Sequence, residues 1–178
     1  MARLTYIQAD QATGKTEELF TAIKRALGKV PNAYLTIGTH SPQALAQALQ
    51  HNSQLAKSSL NAREREAINL VVSEASRCDY CLAAHTLAAK AAGYTAEQAR
   101  QLRQGSYPED AHIDALLKFV TLLVTTRGDL AQADVSAFRA AGFSDRQLVD
   151  TISAVSAILF TNMFNRVNAT ELDFPPAD

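Results

Sequence analysis

Apolar residues recur along this chain at three- and four-residue spacing, in runs separated by glycine, proline and capping residues. That is the pattern of amphipathic helices. Leu19, Phe20, Ile23 and Leu27 share one face of a first helix predicted over 13–27, which Gly28 stops and Pro31 follows. A short helix is predicted over 32–39. Ser41-Pro42 opens another, running to about Lys57 with Leu45, Leu49 and Leu55 on it; proline suits a first helical position. Asn61-Ala62-Arg63-Glu64 reads as a capping box ahead of Ala67, Ile68, Val71, Val72 and Ala75.

Ser76-Arg77 is a predicted break, and Cys78 begins a helix that ends at Gly93. Further helices are predicted from Thr95 to Gln104, from Pro108-Glu109-Asp110 to Thr126, from Gln132 to Ala141, and from Ser144-Asp145 to about Asn168. Strand character is confined to Leu4–Ile7. The expectation is one all-α domain over 1–178, a multi-helix bundle with an N-terminal arm at 1–12 and a frayed, proline-containing tail at 173–178.

Composition narrows the classes. The chain has 178 residues, 47% of them apolar, which suits a folded domain with a substantial core. A net charge of −1 gives no basic surface for nucleic acid and no polybasic membrane anchor. No uninterrupted run of about 18 apolar residues is present, and Met1-Ala2-Arg3-Leu4-Thr5-Tyr6 lacks the apolar centre of a signal peptide. The expected location is the cytoplasm, with no membrane and no nucleic-acid partner.

Chemistry concentrates in Cys78-Asp79-Tyr80-Cys81-Leu82-Ala83-Ala84-His85, which holds both cysteines of the chain. Two thiols at C-x-x-C spacing can close a small disulfide ring. On a helix, Cys81 and His85 lie one turn apart on one face, so the histidine can hold or relay a proton for the thiol. Thiols in the first turn also feel the partial positive charge of the helix start, which stabilises a thiolate. Zinc is disfavoured because there is no second cysteine pair. A c-type haem needs histidine where Leu82 stands, and a thioredoxin fold needs strands that are missing. The plain alternative is a buried pair packed among alanines. The preceding helix offers Glu64, Glu66 and Glu74 as carboxylates for His85.

Glu66, then eleven intervening residues, Cys78, Cys81 and His85 together resemble the signature of alkyl hydroperoxidase D. The wider stretch 60–93 is similar to the core of the carboxymuconolactone decarboxylase-like superfamily. The resemblance implies an all-α fold assembled as trimers or hexamers. It implies cofactor-free reduction of hydrogen peroxide or a small organic hydroperoxide, in antioxidant defence, with no flavin, haem or metal. It also implies a dithiol reductant, of lipoamide type or another, and a proton relay of Glu66 and His85 serving the cysteines. The decarboxylase members lack the cysteine pair. One departure is Tyr80, which stands where the signature carries a histidine and points to a simpler relay. Helix position favours Cys78 as the attacking thiol. The family relay and the Cys81–His85 spacing favour Cys81, with Cys78 resolving the sulfenic acid as a disulfide; this is the assignment preferred. A disulfide reductase or redox sensor, and a helical oligomer without turnover, are the other readings.

Other motifs receive plainer expectations. Ala9-Asp10-Gln11-Ala12-Thr13-Gly14-Lys15-Thr16 resembles a degenerate phosphate-binding loop, but Ala9 stands where glycine belongs and a parallel sheet is missing. A helix start capped by Thr13, with Lys15 in solvent, is expected instead. His112 is expected on a solvated polar face, His40 at a helix end and His51 on a polar face. Phe160, Met163, Phe164 and Val167 are expected in the core or a subunit interface.

Overall fold

The computed structural model describes residues 2–177; Met1 and Asp178, the outer ends of the expected arm and tail, lie outside it. Among the described residues the fold is all-α, with nine α-helices and no strand. They are α1 (Gly14–Leu27), α2 (Asn32–His40), α3 (Pro42–Leu55), α4 (Ala62–Ala75), α5 (Asp79–Ala91), α6 (Ala96–Arg103), α7 (Ala111–Thr125), α8 (Gln132–Ala140) and α9 (Asp145–Asn168).

The punctuation that predicts these elements also ends them. Asn61 and Glu64 close a reciprocal capping box at the start of α4, at 3.0 and 2.7 Å. Thr95 with Gln98 does the same for α6, and Ser144 with Gln147 for α9. Asp110 accepts from the amides of His112 and Ile113 to start α7. Gly28, at φ +80°, stops α1 in a conformation that glycine adopts freely.

Helix α4 is central. It packs against α5, α6, α7 and α9, so Leu70, Val71, Val72 and Ser73 are buried in succession rather than on one stripe. Leu70, Val71 and Val72 form the main core with Leu102, Leu116, Leu117 and Val120. A second core joins α1, α2 and α3 through Phe20, Ile23, Leu35, Ile37 and Leu45. There Gly38 allows a close approach, because a Cβ on it would fall 2.5 Å from the Phe20 ring. A third, small cluster contains Ala33, Cys78, Tyr80 and Cys81, with Phe174 packed on it.

Several expectations are corrected. Leu4–Ile7 is not a strand. Its backbone bonds to helix ends, from the Leu4 amide to Asn168 Oδ1 and from the Ile7 amide to Thr39 Oγ1. The helix start expected in place of a phosphate loop is found: residues 9–16 form a 3-10 turn, Ala9–Gln11, and then the start of α1. Lys15 there pairs with Glu18 in solvent, and buried Thr16 donates to the Gly38 carbonyl. Thr13 takes the cap position without a side-chain hydrogen bond.

His112 is not simply solvated. Its ring stacks on Phe143 at 3.9 Å, and its Nε2 meets the buried Glu64 carboxylate at 2.9 Å. His51 bonds Ser153 Oγ at 2.8 Å. The tail has no regular structure, yet it is tied down. Asp173 forms an ion pair with Lys29 at 3.0 Å and accepts from the Asn32 amide. Phe174 meets Tyr80 edge to face.

By length and composition α9 could cross a membrane; here its inner face packs on α3, α4 and α5. Its outer face leaves Val149, Ile152, Phe160, Met163 and Val167 exposed.

Candidate active site

The turn between α4 and α5 builds the site. Arg77 takes a left-handed conformation, φ +52°, which turns the chain. The Cys78 amide donates back to the Ser73 carbonyl at 3.0 Å, and the Arg166 guanidinium donates to the Ser76 carbonyl at 2.7 Å. Cys78 therefore sits at the cap of α5, where its Sγ accepts from the Cys81 amide at 3.3 Å. That contact is one of the otherwise unpaired donors of a helix start.

Cys78 and Cys81 are joined as a disulfide, with Cα atoms 5.3 Å apart. Both are buried, at 1% and 2% exposure. The Cys81 sulfur also receives a hydrogen bond from the amide of buried Asn165, at 3.3 Å.

One turn beyond Cys81, His85 Nδ1 lies 2.8 Å from Glu66 Oε2. The other carboxylate oxygen of Glu66 accepts from Asn69 Nδ2 at 3.2 Å, which fixes its orientation. An ionised carboxylate only accepts, so the histidine proton sits on Nδ1 and Nε2 is left for the reacting side. Glu74 turns elsewhere, to Arg103 at 2.6 Å. Glu64 faces His112 instead. Of the three candidate carboxylates, Glu66 is the one that meets His85.

Two cavities of about 250 Å³ flank His85. One has a lining of mixed polarity and holds Glu66, Asn69, Asn52 and Arg65. The other is mainly apolar and holds Cys81, Leu27, Ala88 and Phe174. His85, Tyr34 and Thr161 line both and form the wall between them. Cys81 lines the apolar cavity, whereas Cys78 lies behind it against the helix end. Burial raises the Tyr34 phenol above the usual tyrosine value.

Tyr80 occupies the position of the missing histidine and works differently. Its hydroxyl donates to Asp173 at 2.7 Å and accepts from the Ala33 amide at 3.2 Å. Burial first, and then Asp173, hold its phenol far above the usual tyrosine range, so it stays protonated near neutrality. It clamps the tail over the cysteines rather than passing protons. Sequence reasoning missed this strap and missed Asn165. A signal for the latter exists: Asn162, Asn165 and Asn168 recur every three residues within an apolar helix and are all buried.

Residues 42–111 match the carboxymuconolactone decarboxylase family. No curated protein matches the chain significantly. Among solved structures, a peroxidase-related protein from Ralstonia eutropha JMP134, described as an alkylhydroperoxidase AhpD core, superimposes with TM-score 0.85 at 21% identity over 97% of this chain and 92% of that one. A peroxidase-related protein from Silicibacter sp. TM1040 gives 0.81 at 25% identity, over 98% and 91%. The debrominase Bmp8 gives 0.79 at 18% identity, over 96% and 92%.

Proposed function

We propose, for a chain that belongs to the carboxymuconolactone decarboxylase family and carries an AhpD-like fold, the function of a cofactor-free, thiol-dependent hydroperoxide reductase in antioxidant defence. One observation carries the reading: a C-x-x-C pair lies at a helix start beside a histidine that a carboxylate holds at 2.8 Å.

The chemistry runs in three steps. In the reduced pair, the Cys81 thiol passes its proton to His85 Nε2, the thiolate attacks the distal oxygen of the hydroperoxide and the O–O bond breaks. The leaving alkoxide takes a proton from His85 and departs as the alcohol, and Cys81 becomes a sulfenic acid. The Cys78 thiol then attacks that sulfur, releasing water and forming the disulfide. A dithiol of lipoamide type or another class returns two electrons and two protons and leaves as its own disulfide. Glu66 fixes the His85 tautomer and shares its proton. The apolar cavity supports an organic hydroperoxide as substrate, with hydrogen peroxide as the small limit.

The test is single-turnover oxidation. The chain is reduced with dithiothreitol, desalted and mixed with tert-butyl hydroperoxide. One peroxide is consumed per pair, and Cys81→Ser abolishes consumption. A pair that stays reduced in millimolar peroxide for many minutes overturns the reading. The second reading, a disulfide reductase acting on protein partners, is disfavoured by the burial of both sulfurs.

A further inference from the structure

Asn165 is an expensive residue to place where it is. It projects from α9, a helix rich in apolar residues, and only 4% of it is exposed. Its Oδ1 is buried without a hydrogen-bond partner in the protein, a penalty that folds ordinarily avoid. Its Nδ2 donates to Cys81 Sγ at 3.3 Å. A disulfide sulfur is a weak acceptor, so this contact repays little of the desolvation of the amide. The balance changes when Cys81 is a thiolate. Hydrogen bonds to an ionised acceptor are roughly twice as strong as neutral ones, and burial strengthens them further. The contact therefore gains strength in the state that reacts and not in the resting state.

The surroundings fix the donor. Arg166, the next residue, bonds the Ser76 carbonyl at 2.7 Å, and Asn162, one turn earlier, bonds Ser73 Oγ at 3.1 Å. Three successive contacts thus lock this part of α9 to the turn that carries the cysteines. Each sulfur then has its own N–H donor. Cys78 has the backbone amide of the helix start, and Cys81 has the Asn165 side chain. Asn165 also lines the apolar cavity beside Cys81 and His85. An amide is neutral, so it stabilises charge on sulfur without competing with Glu66 and His85 for a proton.

We propose that Asn165 is a catalytic residue of this site, whose amide N–H holds the negative charge of the Cys81 thiolate and so makes Cys81 the thiol that meets substrate. The inference builds on the reading of the pair as a redox centre. Its test does not require peroxide turnover, so the two can fail separately.

In a Cys78→Ser background Cys81 is the only thiol, and its thiolate is followed by ultraviolet absorbance and by the rate of alkylation with iodoacetamide across pH. Asn165→Leu moves the titration midpoint up by about one pH unit and slows alkylation at neutral pH roughly tenfold. Well above the midpoint the alkylation rates converge with those of the parent, which a merely disrupted site would not show. Asn165→Asp keeps the shape, removes the donor and adds a like charge, and moves the midpoint further. Should either variant misfold, the unsubstituted side chain is read directly. In the Cys78→Ser chain the Asn165 amide proton resonance moves downfield as Cys81 ionises. Titration curves that superimpose on the parent, or an amide resonance that ignores the ionisation, overturn the proposal. A shifted titration in a chain that consumes no peroxide sustains it while removing the peroxidase reading.

Discussion

Glu66 and His85 meet across the packed faces of α4 and α5, carboxylate oxygen to Nδ1, at 2.8 Å. Both are largely buried, with 17% and 25% of their side chains exposed. Asn69 holds the other carboxylate oxygen, so the pair has one arrangement. Glu66→Gln keeps the shape and removes the charge. Peroxide reduction is expected to slow roughly 10- to 1000-fold, the range for losing a proton-transfer partner, with the helical circular dichroism unchanged. Glu74→Gln changes the rate less than about twofold, because Glu74 faces Arg103. Stopped-flow oxidation of the two variants decides; a silent Glu66→Gln beside a damaging Glu74→Gln would remove the relay.

Glu64 has a structural task. It caps α4 through the Asn61 amide and reaches His112 on α7 with its other oxygen. His112 carries the link on to the Ala141 carbonyl and the Phe143 ring. Glu64→Gln is expected to destabilise the chain by about 1–3 kcal/mol in urea denaturation, while the folded fraction reduces peroxide at the parental rate. The loss is shared with His112→Ala, so the double variant costs less than the two single changes added together.

Phe174 closes the apolar cavity from the tail, held by the Tyr80 ring and by the Lys29 ammonium 4.2 Å from its centroid. Phe174→Ala enlarges the entry. Relative kcat/KM for cumene hydroperoxide over tert-butyl hydroperoxide is expected to rise by about threefold or more. An unchanged ratio means that substrate enters from another side.

Acid sensitivity has identifiable sources. Asp150 accepts from the Ser59 hydroxyl at 2.5 Å and from the Ser59 amide at 2.8 Å, and these bonds hold its carboxyl below the usual range. Lys118 and the Tyr107 amide do the same for Asp114. In the unfolded chain such groups titrate near about 3.9. Their stabilisation is therefore fully present above that pH and is lost as pH falls through the lower folded values. Asp150→Asn is expected to be less stable at neutral pH and to lose less stability than the parent below about pH 4. Thermal melts across that range provide the check.

The exposed residues Val149, Ile152, Phe160, Met163 and Val167 follow one face of α9. We expect this face to be covered in a trimer or hexamer. Light scattering of the parent and of Met163→Glu is the measurement. A parent that is monomeric at micromolar concentration removes the expectation.

Local signals explain what was legible in the sequence. Capping pairs such as Asn61 with Glu64 and stops such as Gly28 act within a few residues, so the helices are readable within two or three positions of their ends. Cys78, Cys81 and His85 are readable because each lies about one helical turn from the next. Glu66 needed the family resemblance, since nothing local separates it from Glu64 and Glu74; α4–α5 packing makes the choice. The contacts of His112 with Glu64 and of Tyr80 with Asp173 span 48 and 93 positions, and no local pattern encodes them. Leu4–Ile7 has strand-like residues but no neighbouring strand, so helix ends took its hydrogen bonds.

The cysteines stand three positions apart within one stretch of backbone. A ring this short restrains the unfolded chain less than a long loop would. By thermodynamic reciprocity, the fold in turn adds little to the strength of the bond. Reduction of the pair is therefore expected to leave the helical architecture in place, so the redox cycle proposed for it would need no partial unfolding.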